Sequence, residues 1–366
     1  MDSSGCTIER CLPMVVMLVE YLYRRFKHEG SRVGRSSPNG RRPVNAEPTI
    51  RRATADDDNA ILGLGHEALG WDDDERHGAF FHWKHRENPF GDSPMWVATV
   101  GGLVVAFRTF LRWEWRRPDT CVVRSVRAVD TATHPEFQGR GLFRALTMNA
   151  IDELAAEGVG FVFNTPNDNS RPGYLKMGWK VIGRPPVRVR PQGLGSLRRM
   201  TQARVSATKW SEPATFGSSP DGAFADDDEI RCVLTSAGTD QLTTNRSPAY
   251  FRWRFGFHPL HYRVVTRGEG LTDGFAVVRL RRRGPAVEGT VCELYAPPGD
   301  HRAVRELLRQ VEGADYLLAA GSAPFLPAGL LPAPRQGPIV TWRDVTEHDP
   351  PALDQWHLTL GDLELF

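Results

Sequence analysis

A glycine turn between a strand pattern and a helix pattern constrains the fold of this chain more than any other feature of its sequence. Residues 121–129 alternate apolar and polar side chains, which is typical of a β-strand. Gln138-Gly139-Arg140-Gly141 follows, and from Leu142 apolar side chains recur at helical spacing as far as Gly158. The first turn of a helix leaves backbone N–H groups without partners, at the partly positive end of the helix dipole. The sequence therefore predicts an anion site where the glycine turn meets the helix.

The anion expected at this turn is a phosphate or pyrophosphate, held by backbone amides rather than by a lysine. Glycines let the backbone approach such a group closely, and Arg140 and Arg144 would add positive charge at its rim. The pattern lacks the Gly-Lys-Ser/Thr of a Walker loop and the third glycine of a dinucleotide-binding fingerprint. The alternative interpretation is a tight turn that binds no ligand.

Two segments of this region resemble the GNAT superfamily of N-acetyltransferases. The stretch from His134 to Leu142 is similar to the family's acyl-coenzyme A loop, Gln/Arg-x-x-Gly-x-Gly/Ala, although Phe143 departs from its last position. Tyr174-Leu175-Lys176-Met177-Gly178-Trp179 is similar to the family's Tyr-x-x-x-Gly-Phe segment, and a buried strand at 160–164 is predicted between the two motifs. The resemblance covers residues 50–183.

The resemblance implies acetyl-coenzyme A as the cofactor and direct attack of an amine on its thioester. The cofactor-binding residues that it implies are Ala132, Thr133, Gln138, Gly139, Arg140, Gly141, Leu142, Phe143 and Asn169. A backbone N–H near Ala132 or Thr133 would polarise the carbonyl. This chemistry needs no metal, and no group of His, Cys and Asp has ligand spacing, so we predict none.

Two side chains are the predicted catalytic residues. Tyr174 is similar to the family's general acid, which gives its proton to the coenzyme thiolate. In the alternative interpretation, its hydroxyl only bonds the neighbouring loop. Asp130 stands at the end of the strand before the glycine turn and is the predicted base, but it could equally cap that turn. Glu136 and His134 are the other titratable groups nearby.

A repeated motif predicts two copies of one folding plan. Phe81-His82-Trp83-Lys84 recurs as Phe251-Arg252-Trp253-Arg254, and a hairpin pattern follows each copy. The alternative is two unrelated core tryptophans. The second copy has Pro297-Pro298-Gly299-Asp300-His301 in place of the glycine turn. Prolines without amide protons and an acidic residue disfavour a phosphate there, so we expect this copy not to bind the cofactor.

The predicted fold class is α/β (α+β): two GNAT-like domains, each with a mixed, mostly antiparallel twisted sheet flanked by helices. A length of 366 residues favours two folding units. The predicted division is a disordered extension at 1–48, the acyltransferase domain at 49–185, a linker or hairpin region at 186–228 and the degenerate domain at 229–366. Residues 28–48 contain few apolar side chains, which is typical of a linker.

Charge and cysteine content limit the binding partners and the cell compartment that we expect for this protein. The balance of 46 Lys+Arg against 44 Asp+Glu gives a net charge of +2, so no general attraction to nucleic acid or to an anionic membrane is expected. Five scattered cysteines without a Cys-x-x-Cys pair favour a reducing cytoplasm. The apolar stretch from Leu12 to Tyr23 is too short to cross a bilayer; a removed signal or anchor is the alternative to a plain extension.

The sequence thus predicts an acyl-coenzyme A-dependent N-acyltransferase that transfers an acetyl group to a small-molecule or peptide amine. A homodimer is one assembly that this prediction allows. An inactive GNAT-fold binding or structural module is the first alternative, motivated by Phe143 and by the degenerate second half. A nucleic-acid binder that uses Arg188 to Arg204 and Arg281-Arg282-Arg283 is the second.

Overall fold

The structure is a computed structural model, and it describes residues 46–71, 74–119, 121–320, 328–333, 336–347 and 350–364. The predicted extension at 1–48 lies almost entirely outside these residues. Two sheets, each flanked by helices, organise the described chain. None of the described helices is long and apolar enough to span a bilayer.

The first sheet contains nine strands among the described residues. Seven of them lie side by side in the order β1 (Thr49–Arg52), β2 (Met95–Val100), β3 (Leu103–Arg116), β4 (Val122–Thr133), β5 (Phe161–Asn164), β14 (Val340–Asp344) and β6 (Lys180–Gly183). The short strands β8 (Leu242–Thr244) and β15 (Trp356–His357) extend the sheet from β3. All the neighbouring pairs are antiparallel except β4 with β5 and β8 with β15.

Four helices accompany this sheet: α1 (Asp58–Leu69), α2 (Arg76–Arg86), α3 (Leu142–Ala156) and α4 (Arg171–Lys176). The apolar stripe of α3 packs on one face of the sheet in a core cluster with Phe110, Val126 and Tyr174. Apolar residues of α1 and α2 form another cluster with Val97 and Phe107. The sheet is therefore covered on two faces, and α3 lies where the sequence predicted a helix.

The second sheet has the order β13 (Leu331–Pro332), β7 (Val187–Pro191), β12 (Tyr316–Ala320), β11 (Ala286–Tyr295), β10 (Phe275–Arg283) and β9 (Arg263–Thr266). The remaining helices are α5 (Leu194–Gln202), α6 (Pro220–Ala223), α7 (Asp227–Ser236), α8 (Pro248–Gly256), α9 (His301–Arg309) and α10 (Leu360–Leu363). In this sheet only β11 and β12 run parallel. Two mixed, mostly antiparallel sheets flanked by helices confirm the predicted fold class.

The two sheets exchange strands. After β6 the chain enters the second sheet, where β7 pairs antiparallel with β12. After β13 it returns to the first sheet, where β14 pairs antiparallel with β5 and with β6. Each parallel strand pair is thus flanked by a strand from the other half of the chain, so neither sheet is formed by one continuous stretch of sequence.

The repeated motif lies where the two halves meet, on α2 and α8. Trp83 donates its indole N–H to the carbonyl of Trp253 at 2.9 Å, and Trp253 donates to the carbonyl of Trp83 at 2.9 Å. The two rings stack with their centres 5.5 Å apart. This reciprocal pair supports the prediction of two related copies, which no comparison with known proteins tests.

The predicted boundary near residue 185 falls inside a shared structure. Residues 187–191, assigned to a linker by their arginines, glycines and prolines, form β7 inside the second sheet. The largest core cluster joins residues from both halves, including Trp113, Phe163 and Trp253. Composition could not reveal this, because β7 is recognised as a strand only through its partner β12.

Candidate functional site

The strands β4 and β5 separate beside the glycine turn. Their parallel ladder covers three residue pairs and ends at Arg127 with Phe163. Beyond that point β4 continues to Thr133 and stays paired with β3 on its other edge. After Arg127, β4 therefore has no pairing with β5 on the edge away from β3. A cleft opens along this edge, before the glycine turn begins.

The glycine turn supplies the end of this cleft. Gly139 and Gly141 have φ values of 78° and 75°, in the left-handed region that favours glycine. Gly141 is the N-cap residue of α3, and no side chain caps this end. A Cβ placed on either glycine would meet no atom within 4 Å, so both face open space. The amides of the first turn of α3 are therefore available to an anion.

The cleft has a volume of about 350 Å³. Its lining comes from the end of α1, the end of β4 and the glycine turn: Ala68, Leu69, Thr131, Ala132, Thr133, Phe137, Gln138, Gly139, Gly141, Leu142 and Phe143. Seven of the nine predicted cofactor-binding residues are in this set. Arg140 is exposed, with its guanidinium 4.8 Å from the ring centre of Phe137. Asn169 is exposed in the loop before α4 and does not line the cleft.

Tyr174 lies on α4 and is buried. This short helix follows a turn in which the side chain of Asn167 accepts bonds from the amides of Asn169 and Ser170. Gly178, with φ of 91°, directs the chain into β6. The ring of Tyr174 lies 5.4 Å from that of Phe143, which also lines the cleft. Phe143 therefore lies between Tyr174, the predicted general acid, and the predicted cofactor cleft.

Arg108 on β3 contacts Tyr174 and was not singled out by the sequence analysis. It is fully buried, and its Nη2 donates to the hydroxyl of Tyr174 at 2.7 Å. The only other bond described for it is a long one of 3.4 Å from Nη1 to the carbonyl of Val129. A charged residue between the inward-facing Ala106 and Phe110 was the signal that could have drawn attention to it.

Asp130 sits in a β-bulge. Arg108 pairs with Thr131 and Thr109 pairs with Val129, so Asp130 is the extra residue of β4. Its Oδ2 accepts bonds from the ammonium of Lys84 at 2.7 Å and from Nε2 of His85 at 2.9 Å. Both partners lie on α2, and both are buried. Asp130 therefore belongs to a polar cluster with α2, whereas Tyr174 packs on the α3 side of the sheet.

The surroundings of Asp130 make its carboxylate a weak base. Burial alone would raise the pKa of Asp130, but the ammonium of Lys84 and the hydrogen bond from His85 hold that pKa well below its usual range. Burial lowers the pKa of His85 to about 4, so this ring is neutral near pH 7. Neutral His85 then donates from Nε2 to Asp130, and its Nδ1 accepts from the hydroxyl of Ser93 at 2.9 Å.

The other titratable groups near the turn make local bonds. His134 lies 3.2 Å from a carboxylate oxygen of Glu67, and its Nδ1 accepts the amide of Glu136 at 3.2 Å. Glu136 is itself exposed. These contacts hold the start of the turn in place.

The corresponding helix of the second half differs at its N-terminus. The side chain of Asp300 caps α9 by accepting the amide of Ala303 at 2.9 Å. Arg267 pairs with the same carboxylate at 2.7 Å. A fixed negative charge therefore occupies the end of α9, whereas the end of α3 has no such cap.

Four of the arginines considered for nucleic-acid binding are paired with acidic residues, Arg199 with Asp315 and the three of Arg281 to Arg283 with two glutamates. Arg281 and Arg283 both contact Glu288, and Arg282 contacts Glu212. Paired in this way, they present less free positive charge than the sequence indicates, and the nucleic-acid hypothesis gains no support.

Residues 49–182 match the acetyltransferase (GNAT) domain family, and this part of the chain belongs to that family. The cleft, the glycine turn and Tyr174 all lie within the matched range. No protein of curated function matches the chain in sequence. The match to this family supports acyl transfer in general, but it does not specify which molecule accepts the acyl group.

Solved structures share the fold over both halves. A probable N-acyltransferase of unknown function from Enterococcus faecalis is 11% identical with a TM-score of 0.60, over 82% of this chain and 73% of that chain. A GCN5-related N-acetyltransferase from Anabaena variabilis is 11% identical with a TM-score of 0.56, over 81% and 73%. Eis1 from Mycobacterium abscessus is 17% identical with a TM-score of 0.50, over 82% and 74%. Since these matches extend well beyond residues 49–182, the similarity includes part of the second half.

Proposed function

We propose that this chain is an acyl-coenzyme A-dependent N-acyltransferase that transfers an acetyl group to a primary amine by direct attack. One observation carries the proposal: an uncapped helix N-terminus opens into a cleft whose wall, Phe143, contacts a buried tyrosine. The first feature suits a diphosphate, and the second supports Tyr174 as a proton donor beside the cleft.

The residues of the cleft fit coenzyme A. Open space over Gly139 and Gly141 leaves room for a diphosphate against the amides of the first turn of α3. The backbone of Ala132 and Thr133 lines the same cleft and would contact the pantetheine arm. When bound, coenzyme A would supply the acetyl group as a thioester. Arg140 is available only at the exposed rim, and a role for Asn169 stays a prediction.

Tyr174 is the proposed proton donor in this reaction. Its hydroxyl is buried beside Arg108, away from competing water, and its ring contacts the cleft wall. Asp130 suits the binding of an ammonium group better than the removal of its proton, because Lys84 and His85 already stabilise its charge. The bonds from Lys84 and His85 both end on Oδ2 of Asp130, and 22% of this side chain is exposed. We therefore assign Asp130 the role of attracting the amine substrate.

The second half is proposed to be a related copy that does not bind coenzyme A. The cap that Asp300 places on α9, and its ion pair with Arg267, support this assignment. The strands exchanged between the sheets would make this copy a structural requirement of the first.

The test is amine-dependent release of free thiol from acetyl-coenzyme A across a panel of primary amines. Tyr174→Phe is expected to lower kcat by about 100- to 10,000-fold, because it removes the general acid. Tyr262→Phe is the matched control, since Tyr262 is also buried and also accepts a bond from a buried arginine, Arg254, at 2.8 Å. Full activity of Tyr174→Phe would remove this residue from the mechanism.

A non-catalytic coenzyme A-binding module is the second candidate. The identity of residue 143 favours it, because Phe143 puts an aromatic ring where the family motif has glycine or alanine. This candidate predicts that calorimetry detects coenzyme A binding while no amine in the panel releases thiol.

A further inference from the structure

The side chain of Arg108 is a buried charge with few partners. It is 0% exposed, and its guanidinium carbon lies 5.3 Å from the ring centre of Tyr174 and 5.4 Å from that of Phe143. Among the described residues, its Nε has no hydrogen-bond partner and no carboxylate lies within ion-pair distance. Burial of a charge is costly unless other groups compensate it. The fold therefore keeps a guanidinium here at a cost.

Other buried arginines of this protein are anchored differently. Arg246 pairs with the carboxylates of Glu293 and Asp362 at 2.9 Å each. Arg254 donates twice to the carbonyl of Gly361, at 3.1 and 3.0 Å. The bonds of Arg254 hold the backbone at Gly361 in place, and the ion pairs of Arg246 neutralise its buried charge. Arg254 also donates to the hydroxyl of Tyr262 at 2.8 Å, in addition to these carbonyl bonds, whereas the one short bond described for Arg108 goes to the hydroxyl of Tyr174.

The second sheet shows that this type of fold does not need the arginine. Its strand β11 also has one extra residue, Cys292, because Val277 pairs with Glu293 and Val278 pairs with Val291. Val277 has the register position of Arg108 but packs on the face away from α9; the side chain that faces α9 at this bulge is Val278, which is equally buried and packs with Leu307. An apolar side chain serves there, so packing alone does not explain the guanidinium in the half with the proposed acyl site.

We propose that Arg108 is a positioning residue for Tyr174: it orients the hydroxyl and stabilises the phenolate that forms when Tyr174 gives up its proton. This inference rests on the proposed function. The bond from Nη2 fixes the direction of the hydroxyl, and the positive charge favours the negative oxygen at 2.7 Å in this buried site.

The ammonium first loses one proton to solvent, and the reaction then balances with the neutral amine, these groups and a relaying water. The amine nitrogen forms a bond to the carbonyl carbon, and the carbon–sulfur bond breaks. The proton of Tyr174 moves to the sulfur, which leaves as a thiol. The proton lost by the nitrogen returns to the phenolate through water, so Tyr174 is restored while Arg108 stays charged throughout.

A double-mutant cycle on thiol release separates this role from a structural one. Arg108→Gln alone is expected to lower kcat by about 30- to 1,000-fold with little change in KM, within the range of general acid catalysis. In the Tyr174→Phe background the same substitution should change kcat less than threefold, because its target is already gone. Equal losses in both backgrounds would overturn the proposal.

A second readout does not depend on turnover. The chain has seven tyrosines, so ¹³Cζ-labelled tyrosine gives few signals, and the signal absent from Tyr174→Phe belongs to Tyr174. Arg108→Gln should move that signal in the free protein, while affinity for coenzyme A measured by calorimetry stays within threefold. An unmoved Tyr174 signal would overturn the proposal even if Arg108→Gln lost activity through misfolding.

Arg254→Gln is the matched control, because Arg254 is equally buried and also donates to a tyrosine hydroxyl. It should lower the Tm without changing the Tyr174 signal. Succinyl-coenzyme A is a further arm: if wild type prefers it to acetyl-coenzyme A and Arg108→Gln reverses the preference, Arg108 binds an acyl carboxylate and the proposal is wrong. Absence of thiol release from wild type would instead overturn the proposed function, while the ¹³C signal would still report on the contact.

Discussion

His85 is a buried histidine whose proton equilibrium contributes to stability. Burial lowers the pKa of His85 to about 4 in the folded protein, whereas an unfolded histidine titrates near ~6.5. The unfolded state therefore binds the proton more tightly. The contribution is complete above pH ~6.5 and is lost as the pH falls toward the folded value.

We expect the free energy of unfolding to fall by about 2 kcal/mol between pH 7 and pH 5 because of His85 alone. The measurement is urea unfolding at both pH values for wild type and for His85→Gln, whose amide can still donate to Asp130. The variant should lose about 2 kcal/mol less than wild type over this interval. An identical pH dependence in the two proteins would contradict the assignment of a neutral, buried His85.

At the residue scale, the sequence identified side chains but not their partners. Asp130 could be placed at a strand end from the alternating pattern alone, yet its ion pair with Lys84 depends on how α2 packs against the sheet. Arg108 and Tyr174 are 66 residues apart, and their bond exists only because β3 and α4 meet in the fold. Such distant pairs determine charge and proton affinity, which local patterns do not encode.

The helices α3 and α9 differ in what caps their N-termini. A glycine with positive φ lies near each start: Gly141 at 75° directly before α3, and Gly299 at 77° one residue before the cap of α9. The end of α9 is capped by Asp300, whereas α3 has no side-chain cap. The sequence was sufficient to predict this difference, because capping depends on residues adjacent in the chain.

We expect Gly141→Ala to weaken coenzyme A binding by about tenfold or more, because the added Cβ would enter the space over the amides of α3. Gly299→Ala is the matched control: its glycine has nearly the same φ and also faces open space. Both variants should lose about 1–2 kcal/mol of stability through left-handed strain. Calorimetric titration with coenzyme A checks this, and equal affinity for the two variants would contradict the proposed diphosphate site.

Elements defined by local pattern were predicted well. The strand at 160–164 and the helix from Leu142 lie where expected, since apolar spacing and the flanking glycines determine both. The hairpin pattern after the first copy of the repeated motif predicted two strands, and the second of them, β3, continues to Arg116, because pairing with β4 sustains it through alternating polar positions. Where partner strands decide the length of an element, the sequence alone underestimates it.

The exchange of β7 and β14 makes the molecule one cooperative unit. Trp342 on β14 stacks on Phe161 of β5 with ring centres 3.6 Å apart, so a residue near the C-terminal end completes the first core. The reciprocal Trp83–Trp253 bonds join the halves again. The repeated motif predicted two copies, but nothing in the local sequence indicated that they trade strands.

We therefore expect both sheets to unfold in one transition. Thermal melting followed by near-ultraviolet and far-ultraviolet circular dichroism should give coincident curves. Trp342→Ala should destabilise the whole protein by about 3–5 kcal/mol, because it leaves a cavity beside Phe161 in the shared core. Two separated transitions, or a variant that melts only part of the signal, would show that the halves are independent.

The most direct test of the proposed acyl site is a crystal structure of the protein with coenzyme A. The diphosphate is predicted to accept hydrogen bonds from amides between Gly139 and Phe143, with the sulfur next to the hydroxyl of Tyr174. A diphosphate bound elsewhere, or a sulfur remote from Tyr174, would contradict the proposed site.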